Sequence, residues 1–188
     1  MRITGGRAGG IVLKKPRGGD TRPATDRMRE AVFSFLGERV PGSVFLDLFA
    51  GTGAYGLEAW SRGAAGGVLV EKSRSALSVL RENVRVVGRA LGEDGGPRVA
   101  AADVRRWKPP PDLTGDLVFC DPPYGEIEQV APRVFRLAAG FLHPGGLLVF
   151  EMPGQLELEA PGFGLLRRLG KGRRESTCVI WEKTGSAG

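Results

Sequence analysis

The tetrapeptide Asp121-Pro122-Pro123-Tyr124 has the residue types that most directly suggest chemistry, and it follows an apolar run at 117–120. Proline adds a carbonyl without an N–H donor, so Asp121 and the carbonyl of Pro122 can accept both N–H bonds of an amino group. The ring of Tyr124 can stack on a flat base. We expect Asp121, Pro122 and Tyr124 to be catalytic and to aim the amine of a nucleobase at an electrophilic methyl group, with Pro123 against the substrate. In isolation, the segment could also be a turn that ends a strand.

A glycine-rich segment at 51–56 fits the pattern G-x-G-x-x-G, and Glu71 lies twenty positions beyond Gly51. Glycines let a ligand approach the backbone, and an acid at that distance can hold ribose hydroxyls. This pattern alone does not distinguish a nicotinamide dinucleotide from S-adenosylmethionine. Asp47, four residues before Gly51, favours S-adenosylmethionine, because a carboxylate suits its ammonium group better than a pyrophosphate.

Four acidic residues come at the ends of successive predicted strands: Asp47, Glu71, Asp103 and Asp121. Ligands of open α/β sheets bind at the carboxyl ends of the strands, so we expect these acids at one edge. Asp103 suits the exocyclic amine of adenine, although it could instead cap a turn. The predicted cofactor-binding residues are Asp47, Phe49, Gly51, Gly53, Glu71, Lys72, Asp103 and Val104.

The elements that must position these residues alternate between short apolar runs and amphipathic helices. Predicted strands cover 44–49, 68–71, 98–102, 117–120 and 147–151. Predicted helices cover 25–36, 53–62, a stripe at 77–87, and 127–141. Such alternation is typical of a mostly parallel, doubly wound sheet with right-handed crossovers. We also expect two hairpins, a small one from 2–4 and 10–13 and a C-terminal antiparallel one from 163–169 and 177–181.

The composition is typical of one globular domain over residues 1–188, since 41% of the residues are hydrophobic. No run approaches the roughly 20 apolar residues of a membrane span, and the first residues lack the apolar core of a secretion signal. We therefore expect a cytoplasmic protein, and a monomer. Cys120 and Cys178 have no partners at metal-binding spacing, so we expect buried, reduced thiols and no metal site.

The net charge of +6 is concentrated at one end of the chain. Residues 1–30 carry eight basic side chains and three acids, whereas the remainder carries 19 basic and 18 acidic residues. This distribution favours contact between the basic end and a polyanion, although a solvated basic face is the alternative.

Taken together, these residues resemble the S-adenosylmethionine-dependent amino-methyltransferases, in which an N/D-P-P-Y/F tetrapeptide marks transfer to an amino nitrogen. The start of the chain resembles more specifically the bacterial 16S rRNA guanine-N2 methyltransferase family, which modifies a guanine in the head of the small subunit. The matching segments are 1–6 (R-I-x-x-G), 21–33 (R-P-T-x-D-R-x-R-E-x-x-F, with Ala24 where a threonine is common) and 47–53 (D-L-F-A-G-T/S-G). Tyr55 departs from this pattern, since a smaller or apolar residue is frequent there, and it can alter the shape of the pocket.

The resemblance implies a Rossmann-like methyltransferase fold, S-adenosylmethionine as cofactor, and 16S rRNA, in the small ribosomal subunit or its assembly intermediate, as partner. It implies that the predicted cofactor residues surround S-adenosylmethionine and that residues 121–124 handle the target amine. For the basic extension, residues 1–24, it implies RNA contact, with these candidates for phosphate binding: Arg2, Arg7, Lys14, Lys15, Arg17 and Arg22.

Other functions stay open at this point. A DNA adenine-N6 or cytosine-N4 methyltransferase shares the tetrapeptide, but such enzymes usually add a recognition domain for which 188 residues leave little room. If the protein were a non-catalytic RNA-binding assembly factor, we would expect a damaged acceptor site. The tetrapeptide at 121–124 is intact, which disfavours this alternative. A nicotinamide oxidoreductase is disfavoured by Asp47 and by residues 121–124.

Overall fold

A seven-stranded sheet forms the centre of the computed structural model, which describes residues 1–16, 25–170 and 175–185. The strands are β1 (Val44–Leu48), β2 (Gly66–Glu71), β3 (Arg98–Ala101), β4 (Gly115–Cys120), β5 (Leu142–Pro153), β6 (Phe163–Leu169) and β7 (Ser176–Lys183). Their order is β3-β2-β1-β4-β5-β7-β6, with β1 to β5 parallel and β7 antiparallel to both of its neighbours. The predicted parallel sheet and C-terminal hairpin are therefore confirmed.

Helices cover both faces of this sheet. They are α1 (Thr25–Leu36), α2 (Ala54–Ser61), α3 (Arg74–Leu91) and α4 (Ile127–Phe141). Successive strand residues point to opposite faces, so Phe45 packs in the core shared with α1 to α3, whereas Leu46 packs in the core shared with α4. Both faces of the parallel strands are buried, as the doubly wound prediction requires. No helix in the described part of the chain is long and apolar enough to cross a membrane.

Two elements differ from their predicted form. Strand β5 begins at Leu142 rather than at 147, because pairing with β4 continues from Gly115↔Leu142 across a register irregularity despite the turn-forming residues that follow. The predicted N-terminal strands form a single antiparallel bridge, Arg2↔Val12, supported by the Ile3 N–H to Ile11 carbonyl hydrogen bond of 2.9 Å. Packing of this segment against the helices, rather than a long strand ladder, holds it in place.

A fully buried carboxylate on α2, Glu58, joins this N-terminal segment to α1 and α2. It accepts hydrogen bonds from the backbone N–H and hydroxyl of Thr4, at 2.7 and 2.8 Å. Its oxygens also pair with Nε of Arg29 on α1 at 3.3 Å and with Nε of Arg62 at 2.8 Å. Arg29 is only 1% exposed and donates a further hydrogen bond to the carbonyl of Arg2. Each buried charge in this group, the Glu58 cluster, thus has an opposite charge and polar partners.

Replacing Glu58 by glutamine should lower the free energy of unfolding by about 3–5 kcal/mol, because Arg29 would stay buried with only the partly exposed Asp26, 3.1 Å away, as its charged partner. Urea denaturation measures the change. The matched control is Glu182→Gln, which breaks an ion pair with Arg39 whose side chains are 40% and 50% exposed. We expect less than about 1 kcal/mol from it. Similar decreases in the two variants would contradict the anchoring role of Glu58.

Candidate active site

The carboxyl edge of the sheet brings the predicted acids together. Asp47 lies within β1, Glu71 ends β2, Asp103 follows β3 and Asp121 follows β4 directly. The parallel register places Leu48 opposite Val70 on one side and Cys120 on the other, so the loops that leave these strands meet at one edge. The expectation that these residues share an edge is confirmed.

The glycine-rich loop between β1 and α2 depends on backbone conformations that favour glycine. Gly51 and Gly53 have positive φ angles of 55° and 83°, and Phe49 is a non-glycine residue with φ of 60°. A Cβ on Gly53 would lie 2.6 Å from Leu80 Cδ1, and one on Gly56 would lie 2.4 Å from Leu69 Cδ2. The first glycine therefore shapes the turn, whereas the other two allow α2 to approach its neighbours closely.

Glu71 holds this loop against β2. Its Oε2 accepts the N–H of Gly51 at 2.8 Å, and its Oε1 accepts the N–H groups of Lys72 and Ser73 at 2.8 and 2.7 Å. Three backbone donors satisfy a carboxylate that is only 9% exposed. A carboxylate oxygen has more than one acceptor site, so these bonds leave capacity for a ribose hydroxyl.

Asp47 is a buried carboxylate with one direct backbone donor, the N–H of Gly56 at 2.9 Å from Oδ2. The pKa of Asp47 is raised from 3.8 to about 7, chiefly because burial removes water from the charged form. The Gly56 hydrogen bond lowers this pKa, and the nearby charge of Glu71 raises it. A cationic ligand would favour the ionised form of Asp47, which is the property expected of a site for an ammonium group.

The predicted residues after β2 and β3 lie farther along the same edge. Asp103 accepts the N–H of Arg105 at 3.0 Å, so it caps the turn as the alternative prediction allowed. Val104 is buried in the core against α4. Lys72 Nζ lies 3.7 Å from Glu126 Oε2, and Arg105 binds the same oxygen at 2.7 Å. Glu126, which sequence reasoning missed, thereby joins the loops after β2, β3 and β4.

The tetrapeptide after β4 forms a turn into α4. The carbonyl of Pro123 accepts the N–H of Glu126 at 2.9 Å, which begins a 3-10 turn at Tyr124–Glu126. Pro122 is buried, whereas Asp121 and Pro123 are exposed and Tyr124 is half-buried against the core of α4. Because the turn uses the Pro123 carbonyl, the Pro122 carbonyl is the better candidate acceptor for a substrate amine.

One cavity joins the two halves of the site. Of the predicted residues, Asp47, Phe49, Gly51 and Asp121 line it. Seven further lining residues were not predicted as site residues: Met1, Arg29, Ala50, Thr52, Ala54, Tyr55 and Glu151. Glu151 lies near the end of β5 and could have been found by the rule that identified the other acids. Met1 and Arg29 had no such signal, because only tertiary packing brings α1 and the N-terminal segment over the loop.

Near the basic extension, several predicted phosphate ligands already have partners. Arg7 pairs with Glu93 at 3.0 Å and Lys14 with Glu82 at 2.5 Å, although the two basic side chains remain 63% and 59% exposed. The backbone of Lys14 is held by Asn83, which also donates to the Thr52 carbonyl at 2.9 Å. Arg2 and Lys15 are exposed as well. Two predicted contacts, Arg17 and Arg22, lie outside the described residues.

The fold and the carboxyl-edge site define a class, the Rossmann-like fold of the S-adenosylmethionine-dependent methyltransferases. A solved structure of a candidate methyltransferase from Escherichia coli, yhhF, matches with a TM-score of 0.83 and 28% identity over 99% of both chains. The chain belongs to the family described as conserved hypothetical protein 95, whose model matches residues 1–180.

Two relatives support the membership of this chain in the family. Ribosomal RNA small subunit methyltransferase D of Escherichia coli (strain K12) is 36% identical over 131 residues. The match covers 69% of this chain and 64% of that protein, which is slightly less than two thirds of its length. A candidate rRNA methyltransferase of Bacillus subtilis (strain 168), YlbH, is 31% identical over 164 residues, or 84% of this chain and 85% of that protein.

The raised pKa of Asp47 predicts a pH-dependent stability. The folded state binds this proton more tightly, so the stability from protonated Asp47 is fully present below pH 3.8 and is lost as the pH rises through about 7. Without ligand, Asp47→Asn should change stability little at about pH 4 and raise the free energy of unfolding at about pH 8 by roughly 2–4 kcal/mol. Urea denaturation at both pH values tests this.

The matched control for that experiment is Asp112→Asn, because Asp112 is exposed before β4. It should show the same stability as the parent at both pH values. If Asp47→Asn is no more stable than the parent at the higher pH, the carboxylate is not held ionised and desolvated in the folded protein.

Proposed function

We propose that the protein is an S-adenosylmethionine-dependent methyltransferase that acts on the exocyclic N2 amine of a guanine in 16S rRNA. The observation that carries this proposal is that one cavity is lined by Asp47 and Gly51 together with Asp121. It joins a site suited to an amino-acid cation to a site suited to a nucleobase amine. The names of the Escherichia coli and Bacillus subtilis relatives, both rRNA methyltransferases, support the rRNA part of the proposal.

The residues at the edge fit S-adenosylmethionine by their chemistry. Asp47 would hold the ammonium group, Glu71 the ribose, and the loop at Gly51 and Gly53 would let the ligand approach the backbone. Phe49, Lys72, Asp103 and Val104 remain proposed contacts of the same cofactor. When bound, S-adenosylmethionine supplies a methyl group activated by its sulfonium.

The chain's own part in the reaction is to localise the lone pair of the target nitrogen. An amine on an aromatic base is a weak nucleophile, because its lone pair is delocalised into the ring. Asp121 and the Pro122 carbonyl would accept its two N–H bonds, which favours a pyramidal nitrogen and stabilises the positive charge that develops as the methyl group leaves the sulfonium for the nitrogen. The methylated amine would then release one N–H proton, for which the Asp121 carboxylate is a suitable acceptor. Tyr124 stacks on the base and fixes the direction of the amine. Orientation of this kind can contribute about 7–11 kcal/mol in favourable systems.

The N-terminal segment supports an RNA substrate by its placement. Its apolar residues Ile3, Ala8 and Leu13 are buried. The exposed Lys14 side chain lies beside the glycine-rich loop, because Asn83 binds both the Lys14 backbone and the Thr52 carbonyl. The exposed Arg7 side chain lies farther along the surface, at the carboxyl end of α3, where it binds the Leu91 carbonyl and Glu93. A phosphate backbone could exchange with the exposed ion pairs of these two side chains at small cost, since such pairs are weak in water. An rRNA target implies that the protein works in the cytoplasm, where ribosomes are assembled.

Asp121→Ala should reduce methyl transfer about a hundredfold or more, because the amine loses an acceptor that acts in the transition state. Binding of S-adenosylmethionine, measured by calorimetry, should stay within severalfold of the parent. Asp121→Asn keeps an acceptor oxygen and should retain part of the activity. The matched control, Asp112→Ala, should be fully active. Full turnover by Asp121→Ala would exclude the proposed role of this carboxylate.

The substrate itself is tested with labelled S-adenosylmethionine and three acceptors: naked 16S rRNA, small ribosomal subunits and duplex DNA. Nucleoside analysis should find the label in N2-methylguanine from one of the RNA acceptors. Label in N6-methyladenine or N4-methylcytosine from DNA would instead establish a DNA amino-methyltransferase. No transfer to any acceptor would favour a non-catalytic assembly factor.

Neutralising Arg7, Lys14 and Lys15 together to glutamine should weaken RNA binding and reduce the slope of log affinity against log salt. The magnitude of this slope should fall by about 1 for each phosphate that the variant no longer neutralises. A filter-binding titration at several salt concentrations measures the slope. Arg39→Gln is the control, because Arg39 lies next to the opposite, amino end of the sheet. An unchanged slope in the triple variant would remove the assignment of this segment to RNA.

A further inference from the structure

Glu151 is a carboxylate that the proposed reaction does not yet use. Strands β4 and β5 pair with Cys120 opposite Phe150, so Asp121 and Glu151 are the next residues along two neighbouring parallel strands. Glu151 is 4% exposed, and it lines the same cavity as Asp121 and Asp47. Two acceptors therefore lie side by side where the target base must present its amine.

The partners of Glu151 hold it in place without neutralising it. Its Oε2 accepts the hydroxyl of Tyr55 at 2.9 Å, and its Oε1 accepts the hydroxyl of Ser176. Cys178 Sγ lies 4.0 Å from Oε2. Among the residues that the structure describes, no lysine or arginine forms an ion pair with Glu151. A carboxylate has about four lone-pair sites, so the two hydroxyls leave capacity for a ligand donor.

A buried carboxylate with neutral partners favours a ligand that offers N–H donors. Guanine presents its ring N1–H directly beside its 2-amine, whereas adenine and cytosine present a ring nitrogen lone pair beside their amines. A carboxylate opposite that ring position attracts guanine, and it repels the other two bases by placing lone pair against lone pair.

We propose that Glu151 selects guanine by accepting its ring N1–H while Asp121 holds the neighbouring 2-amine. This inference rests on the proposed function and adds to it the residue that decides which base is accepted. Tyr55 and Ser176 act as positioning residues, since their hydroxyls orient the carboxylate.

The test compares guanine with 2-aminopurine, which keeps the 2-amine but has a lone pair in place of N1–H. Small-subunit RNA is prepared with either base at the target position, and kcat/KM is measured for each. The parent should prefer guanine by roughly 10–100-fold, because a site built to accept N1–H rejects an analogue that lacks it. This comparison uses only the parent protein, so it tests the proposal even if a substitution at Glu151 prevents folding.

Glu151→Gln should reduce the preference for guanine about tenfold or more, since an amide can donate to the ring nitrogen as well as accept from it. Tyr55→Phe removes a hydroxyl that orients the carboxylate but keeps the carboxylate, so it should reduce the preference for guanine less than Glu151→Gln does. An unchanged preference in Tyr55→Phe would contradict the positioning role of Tyr55. Equal use of both bases by the parent, or an undiminished preference in Glu151→Gln, would overturn the assignment of Glu151 while leaving the proposed function in place. Absence of transfer to guanine RNA by the parent would overturn both.

Discussion

The buried Glu58 cluster is the interaction on which the geometry of the candidate site depends. Arg29 belongs to this cluster and also lines the cavity, and Thr4 attaches the N-terminal segment to the same carboxylate. The sheet alone would leave the glycine-rich loop open on this side. With the cluster formed, Met1 lies over the loop and its Sδ accepts the hydroxyl of Thr52 at 3.2 Å. The charge balance among Glu58, Arg29 and Arg62 thus decides what covers the site.

A second constraint is the cost of placing carboxylates where water is excluded. Asp47 and Glu151 are both nearly buried, and each depends on neutral donors for compensation. Such an arrangement destabilises the ligand-free protein relative to one with apolar residues there. The same arrangement favours ligands that bring cationic or N–H groups. Stability and binding therefore oppose each other at the carboxyl edge, and this is a property expected of a functional site.

Packing of the N-terminal segment decides where the excess positive charge lies on the folded protein. Its charge was evident from composition, but composition could not tell a solvated tail from a packed surface. Burial of Ile3 and Leu13 fixes the segment on α2 and α3, and the hydrogen bonds of Asn83 tie it to the glycine-rich loop. The basic side chains consequently extend from a packed part of the molecule rather than from a solvated tail.

The sequence by itself determined the order of the elements, the mostly parallel sheet and the edge at which Asp47, Glu71, Asp103 and Asp121 lie. These features follow from local periodicity and from the rule that parallel strands bring their carboxyl ends to one edge, and neither requires knowledge of distant contacts. The start of β5 at Leu142 escaped prediction because pairing with β4 overrode local turn residues. Tertiary structure alone decided that Arg29, Tyr55 and Glu151 meet Asp121 in one cavity. These residues are far apart in the chain, and only packing between helices and strands, which no local pattern encodes, brings them together.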